Sequence, residues 1–326
     1  MRPFKILKAT LAFGAVALLT GALPNNGGNG RFISHTVVRG ETVSLLCIEK
    51  YGKYTAAMGR EFLKDNPRVT DINLIVVGQV LRFRNPEYVP AAAEARDTLF
   101  SRTMAMTQGV VTYVEGKARC ANALGKKELT ANTVVGPGDT IMTSGNGRVE
   151  CIVNGETVVR VRENTALCIT ALRAMEQQKG ETSMNFSLGA VWTKMKKFSD
   201  GVSRFRLQMP TAIAGVHGTV YQATVDRDTS CAVSVYEGEV SVKGYEPYFS
   251  PQEGGLHEIS GPHEIEGPHE VSREEWEMIV RSMQRIHIDK KGRASEATAF
   301  KRDPADSWER WNLERDKRIA AMFGEI

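Results

Sequence analysis

The stretch PTAIAGVHGTVY, from Pro210 to Tyr221, limits what this chain can fold into more than any other. It is apolar, made of small residues, and follows the strand-like Phe205-Arg206-Leu207-Gln208-Met209. Gly215 and Gly218 flank His217 before β-branched residues resume. Glycine permits close backbone approach and positive φ, so this pattern predicts a strand crossing a packed interior with little side-chain bulk. The surroundings agree, because from Gly109 the apolar period is two. Gly109–Gly116 reads as a strand, and Thr133–Thr143 contains a turn set by Gly136-Pro137-Gly138. Val149–Val161 reads as two strands around Asn154-Gly155, a strong hairpin signal. A second hairpin is expected over Val233–Val242. Together these predict one all-β unit from about Gly109 to Lys243.

With 326 residues the chain has room for two or three domains. Arg2, Lys5 and Lys8 precede an apolar run, Ala9–Leu19, and the small residues Thr20-Gly21-Ala22. This is the pattern of a secretory signal over 1–22, and the run is too short for a retained span. Export to the periplasm or cell envelope is therefore expected. Removing those three basic residues lowers the formal charge from +4 to +1, which leaves no footprint for nucleic acid or for anionic membranes. The Asn/Gly-rich residues 23–34 read as a flexible linker. None of the five cysteines, Cys47, Cys120, Cys151, Cys168 and Cys231, lies in a CxxC pair or at ligand spacing from a histidine. They read as small buried hydrophobes rather than disulfides.

Residues 35–84 form the best-defined module. His35–Val38 is a short strand, and Arg39-Gly40-Glu41-Thr42 turns it. Thr42 is a natural cap for a helix carrying Val43, Leu46, Cys47 and Tyr51, which Gly52 ends. A second helix runs from about Thr55 to Lys64 and breaks at Asn66-Pro67. Asn73–Phe83 supplies the return strand. The TVxxGET turn, the YG helix end, the NP break and the NLIxxGQxL return resemble a LysM domain, a small α+β module of βααβ order. LysM domains bind glycans containing N-acetylglucosamine, such as peptidoglycan. The resemblance implies a groove with Gly40, Glu41 and Thr42 on one side and Asn66, Pro67, Leu74, Ile75, Val76 and Gly78 on the other. Backbone amides of such turns suit acetamido groups, and apolar side chains suit sugar faces. Leu74 fits the groove or the core equally well. The first helix has one residue more than the commonest LysM pattern.

Residues 85–103 read as a semi-stiff linker. The unit over 104–244 resembles a FecR-type domain, an extracytoplasmic β-rich module. The carriers are the GxVxxVxG opening, the GDTIxTxxxGR turn, the hairpin, Leu188-Gly189-Ala190-Val191 and the Pro210–Thr219 stretch. Met209 stands where that signature has Thr, and His217 where it has Arg. Asp139 and Arg148, at family positions, are expected to stabilise a turn or face water. His217 is expected to be an interior or turn histidine rather than a ligand.

Residues 245–326 hold a Gly/Pro/His repeat and the C-terminal helices. His257-Glu258, His263-Glu264 and His269-Glu270 recur every six residues, too far apart in an extended chain to share one ion, so an exposed polar edge is expected. Ser272–Glu275 is a capping box before a helix bearing Trp276, Ile279, Val280, Met283 and Ile286. Asp303-Pro304 opens a last helix with Trp308, Trp311, Ile319 and Met322 in a partial stripe, which reads as a packing face or as a partner-binding or membrane-surface element. No HExxH, Cys-His or paired-carboxylate pattern suggests catalysis, and no cofactor is implied. The expected architecture is multidomain: a small α+β LysM-like module, an all-β FecR-like domain and a helical extension. The expected function is non-enzymatic binding of peptidoglycan, with the β domain presented to an envelope protein. FecR proteins signal through a membrane span to a cytoplasmic anti-sigma segment, neither of which is expected here. An extracytoplasmic sensor of FecR type is the alternative, and a wall hydrolase with unrecognised catalytic residues comes third.

Overall fold

The computed structural model describes residues 30–87, 107–155, 157–172, 181–195, 204–216, 218–244 and 277–323. The expected leader 1–22, most of both linkers, His217, the His-Glu repeat and the Ser272–Glu275 box lie outside them.

The chain opens with β1 (Phe32–Thr36), α1 (Val43–Tyr51), α2 (Ala56–Asp65) and β2 (Val80–Arg84), and the two strands pair antiparallel. β1 begins inside the segment read as linker 23–34, and the return strand is shorter than expected, because residues 71–79 turn before pairing begins. The helices form where their caps place them. Thr42 Oγ1 accepts from Leu45 N, and Gly52 closes α1 at φ 71°. Thr55 Oγ1 accepts from Met58 N at the start of α2.

The body consists of β3 (Gly109–Glu115), β4 (Ala118–Asn122), β5 (Gly125–Glu128), β6 (Val134–Val135), β7 (Thr140–Thr143), β8 (Arg148–Val153), β9 (Thr157–Val161) and β10 (Ala166–Leu172). It continues through β11 (Glu181–Phe186), β12 (Gly189–Met195), β13 (Arg204–Gln208), β14 (Ala212–Val216), β15 (Val220–Val225), β16 (Cys231–Glu237) and β17 (Glu239–Gly244). After the undescribed stretch come β18 (Glu277–Arg281), β19 (Gln284–Ile288), β20 (Thr298–Ala299) and α3 (Ser307–Phe323). These strands make two nine-stranded sheets. The outer sheet has the order β18-β17-β14-β13-β11-β10-β7-β4-β5, and the central sheet β20-β19-β16-β15-β12-β9-β8-β3-β6. Pairs β8–β9, β10–β11, β13–β14 and β15–β16 are laid down alternately in the two sheets. β12 lies alone in the central sheet, so β11 and β13 on either side of it run parallel.

One core fills the space between the sheets. Leu207, Ala212, Ala214, Val240 and Val242 face Val191, Tyr221, Ala223, Val233 and Val235. The outer sheet alternates buried and half-buried or exposed residues, as a sheet with one wet face does. The middle strands of the central sheet, β8, β9 and β12, are buried on both faces, and every residue of β9 is buried. Its far side receives the N-terminal helices on Val110, Ile152 and Val158, and α3 on Trp192, Val220 and Tyr236.

Several expectations need correction. Val233–Val242 is no hairpin. β16 pairs with β15 and β19 in the central sheet, and β17 with β14 and β18 in the outer one, so Gly238 is a crossover between sheets. The helix expected after Ser272 is β18 and β19. Val280, Ile286 and Ile288 point into the core at a strand's alternation, and the exposed edges of β17 and β16 supply the pairing. Burial and available partners outweighed a helical spacing that was equally present in the sequence. Met283, at φ 59°, makes the corner between them. α3 is helical, but it starts at Ser307 behind Asp306, whose Oδ1 accepts from Trp308 N, rather than at Pro304.

The stretch from Pro210 crosses from the outer sheet to the central one. Its tight spot is not Gly215, where an added Cβ would lie an ordinary 3.8 Å from Ser241 O. The crowded glycine is Gly238, at φ +81°, where a Cβ would stand 2.6 Å from Thr219 Cγ2 and 2.8 Å from Gly218 O. Two sheet-to-sheet crossovers touch there. Gly238→Ala is expected to lower unfolding stability by about 1–3 kcal/mol. Gly215→Ala is expected to be neutral or stabilising by up to about 1 kcal/mol. Urea titrations of both variants check the contrast.

Candidate functional site

The residues proposed for a groove separate into two groups. Gly40, Glu41 and Thr42 lie against the rest of the protein. Thr42 Oγ1 donates to Thr112 O at 2.9 Å in β3 while capping α1. Glu41 Oε2 takes up the Val38 amide at 2.8 Å and lies 2.9 Å from His35 Nε2. Gly40 O accepts from Arg315 Nη1 at 3.4 Å, and Arg318 of α3 donates to Arg39 O and lies 3.6 Å from Glu41. Asn66 is buried. Its amide donates to Phe62 O and Arg82 O, and its Oδ1 accepts from Arg82 N, so it pins the end of α2 to β2. Ile75 is half-buried against the module's core.

The other group faces water. Pro67 and Gly78 are exposed, and Leu74 and Val76 are 71% and 63% exposed. Leu74 is therefore not core. Val38, Val77 and Val80, which sequence reasoning did not single out, are 52%, 68% and 63% exposed. Gly78 N donates to Val37 O and Val37 N to Gln79 O, which sets Val38 beside this loop. An apolar cluster on so small a module is unusual for surface that only meets water.

Behind the Arg39–Thr42 turn lies a buried charge cluster that no motif announced. Glu150 on β8 and Arg160 on β9 face each other across the hairpin, both at 0% exposure. Glu150 Oε2 accepts from Arg160 Nε at 2.8 Å and from Arg315 Nε at 3.0 Å, and Oε1 accepts from Thr112 Oγ1 at 2.9 Å. Arg160 Nη1 reaches Asp316 Oδ1 at 2.6 Å, and Asp316 Oδ2 accepts from Trp192 Nε1 at 3.3 Å. Two acids and two bases balance. Burial alone would push the Glu150 carboxyl up, but Arg315 and Arg160 outweigh it and hold it down at about 2. Above this cluster Trp308 stacks on Trp311 with centroids 5.3 Å apart, and Arg148 lies 5.9 and 5.7 Å from their ring centres. Arg148 was expected at a turn or in solvent, but it is packed under α3. Asp139 does stabilise its turn, accepting from Gly136 N at 2.9 Å.

All five cysteines are unpaired, and burial raises Cys151 to about 12. A thiol held protonated is a poor nucleophile. Among the described residues no three His, Cys, Asp or Glu side chains gather as metal ligands. No described helix is long and apolar enough to cross a membrane. A cleft of about 490 Å³ beside α3 is lined by Lys194, Arg302, Lys317 and Glu237 above Val220 and Tyr236.

Residues 139–241 match the family described as FecR protein, from the start of β7 well into β17. This part of the sandwich is a FecR domain. FecR proteins are associated with the cell envelope. Two crystal structures of a candidate anti-sigma factor from Parabacteroides distasonis are similar at 14% identity, covering 56% of this chain and 74% of that one, with a TM-score of 0.34. No curated protein matches significantly.

The cluster makes stability pH-dependent in a defined sense. Glu150 has a folded value below its ordinary 4.5, so its contribution is complete above 4.5 and is lost as pH falls toward 2. Glu150→Leu, which strands two buried arginines, is expected to cost about 3–5 kcal/mol. The quadruple variant Glu150→Leu/Arg160→Met/Arg315→Leu/Asp316→Asn is expected to cost less, since it leaves no charge of the cluster buried and unpaired while the new amide oxygen can still accept from Trp192. Urea unfolding between pH 3 and 7, a window chosen around the ordinary carboxylate range of about 4, checks both expectations.

Proposed function

We propose that this chain is an extracytoplasmic FecR-type regulatory protein that relays a signal through protein contact. The carrying observation is that the FecR match falls on a sandwich whose outer sheet has a face left uncovered by the described residues. That face bears the ion pairs Arg206–Glu181 at 2.9 Å and Lys243–Glu277 at 3.2 Å, with Ile279 43% exposed nearby. Mixed charge around a modest apolar centre suits a reversible protein interface. The leader-like residues 1–22 support export, which would bring the domain to an envelope partner. Tyr236 is an unsuitable contact point, being buried between Trp192 and Phe300. Reversing charge at Arg206 and Lys243 to Glu is expected to leave folding intact while reproducing the transcriptional change caused by deleting the gene. A folded double variant with wild-type transcription would overturn the reading.

A second reading is favoured by the exposed Leu74, Val76, Val77, Val80 and Val38 around Gly78. Here the N-terminal module is a LysM-type binder of N-acetylglucosamine glycans, and the loop from Leu74 to Gly78 is its accessible side. Apolar side chains would pack on sugar faces and acetamido methyls, with backbone groups of the loop supplying polarity. Both readings are of binding rather than catalysis. Peptidoglycan sacculi are expected to sediment the protein, and Leu74→Ser with Val76→Ser to weaken retention by about tenfold or more, given about 1.5–3 kcal/mol for each buried apolar side chain. Wild-type protein left in the supernatant would end this reading without touching the first.

A further inference from the structure

Arg318 is bound less well than its neighbours on α3. Arg315 and Asp316 are buried and tied to Glu150, Arg160 and Trp192. Arg318 lies one turn beyond Arg315, toward the Arg39–Thr42 turn, with its side chain 23% exposed. It donates to Arg39 O and stands 3.6 Å from Glu41, but its buried Nε has no hydrogen-bond partner. Burial and the like charge of Arg315 both disfavour its charged form, and Glu41 only partly offsets them. The fit over the turn is close: a Cβ at Gly40 would come within 2.8 Å of Arg318 Nη1. The guanidinium occupies the Arg39 carbonyl and lies over Gly40, so a ligand pairing with that stretch of backbone competes with it.

We propose that Arg318 is a gate over this rim, which must swing out before an N-acetylated sugar can hydrogen-bond to the turn. This rests on the glycan reading of the N-terminal module. The movement is confined to one side chain, because α3 stays anchored by Trp308, Arg315 and Asp316. Opening gives up a partly exposed ion pair, weak by nature, and returns Nε to water. The closed gate lowers glycan affinity by the fraction of time it covers the rim. Leu74, Val76 and Gly78 stay reachable in either state, so the gate tunes binding rather than abolishing it.

Titration of the full chain with N-acetylglucosamine oligomers, followed by calorimetry, tests the gate. Arg318→Ala is expected to bind about fivefold tighter than wild type or better. Arg318→Met, which keeps the aliphatic stem and removes the donors, is expected to behave alike and serves if the alanine variant folds poorly. Unchanged or weaker binding in the folded variant overturns the gate; weaker binding would make Arg318 a sugar contact. If wild type and variant bind equally, the glycan reading stands and only the gate falls. If neither binds, the glycan reading falls and the gate with it.

Discussion

Glu150 and Arg160 face each other on adjacent strands of the central sheet, wholly out of water, where an unpaired charge is costly. Their further charged partners are Arg315 and Asp316, which arrive on a helix more than 150 residues later in the chain, and Arg160 Nη2 alone of these donors is left without an acceptor. That requirement locates α3. It also positions the N-terminal module, since Arg315 reaches on to Gly40 O and Thr42 bonds the neighbouring strand at Thr112. Three regions distant in sequence thus meet over one neutral cluster. A buried ionic group is a costly way to gain stability and a discriminating way to fix register, because a misplaced helix would leave charge unpaired.

The sandwich distributes its two faces unequally for the same reason. Its outer sheet keeps one side for solvent or a partner, as its alternating burial indicates. The middle of its central sheet has none to spare, covered inside by the outer sheet and outside by helices, while the β19–β20 end stays partly open. The FecR match spans both sheets, yet in this chain the strands β18 to β20 and α3 beyond it complete the same body. On the regulatory reading proposed above, the outer sheet is the presenting face and the central one the scaffold. The small N-terminal module is seated on that scaffold, and Asn132 of the body donates to Ile72 O and Asn73 Oδ1 where the exposed apolar loop begins.

Much of this was legible in the chain. The Asn154-Gly155 hairpin lies where its turn chemistry put it, with φ of 51° and 72° at the two residues. Thr42, Gly52 and Thr55 bounded their helices through short-range hydrogen bonds that need no distant partner. Local signals failed where two readings were equally local. Ile279, Val280, Met283 and Ile286 fit a helical spacing while Val280, Ile286 and Ile288 fit a strand's alternation, and the edges of β16 and β17 decided between them. Glu237-Gly238-Glu239 had the look of a hairpin turn, but each flanking strand found partners in a different sheet.

Of the proposed groove, the sequence marked the exposed Leu74–Gly78 loop but not the coverage of Gly40, Glu41 and Thr42, because nothing near them in the chain names Arg318. The sequence alone determined the β-rich body, the capped helices and the FecR-like signature, since these rest on alternation, caps and turn residues within a few positions of one another. Only the tertiary structure decided which sheet each strand joined and that the charged stripe of α3 is an inward face. It also decided that half of a supposed binding rim is already occupied. Those outcomes depend on where long-range partners become buried, and the pairing of a buried charge cannot be read from spacing along the chain.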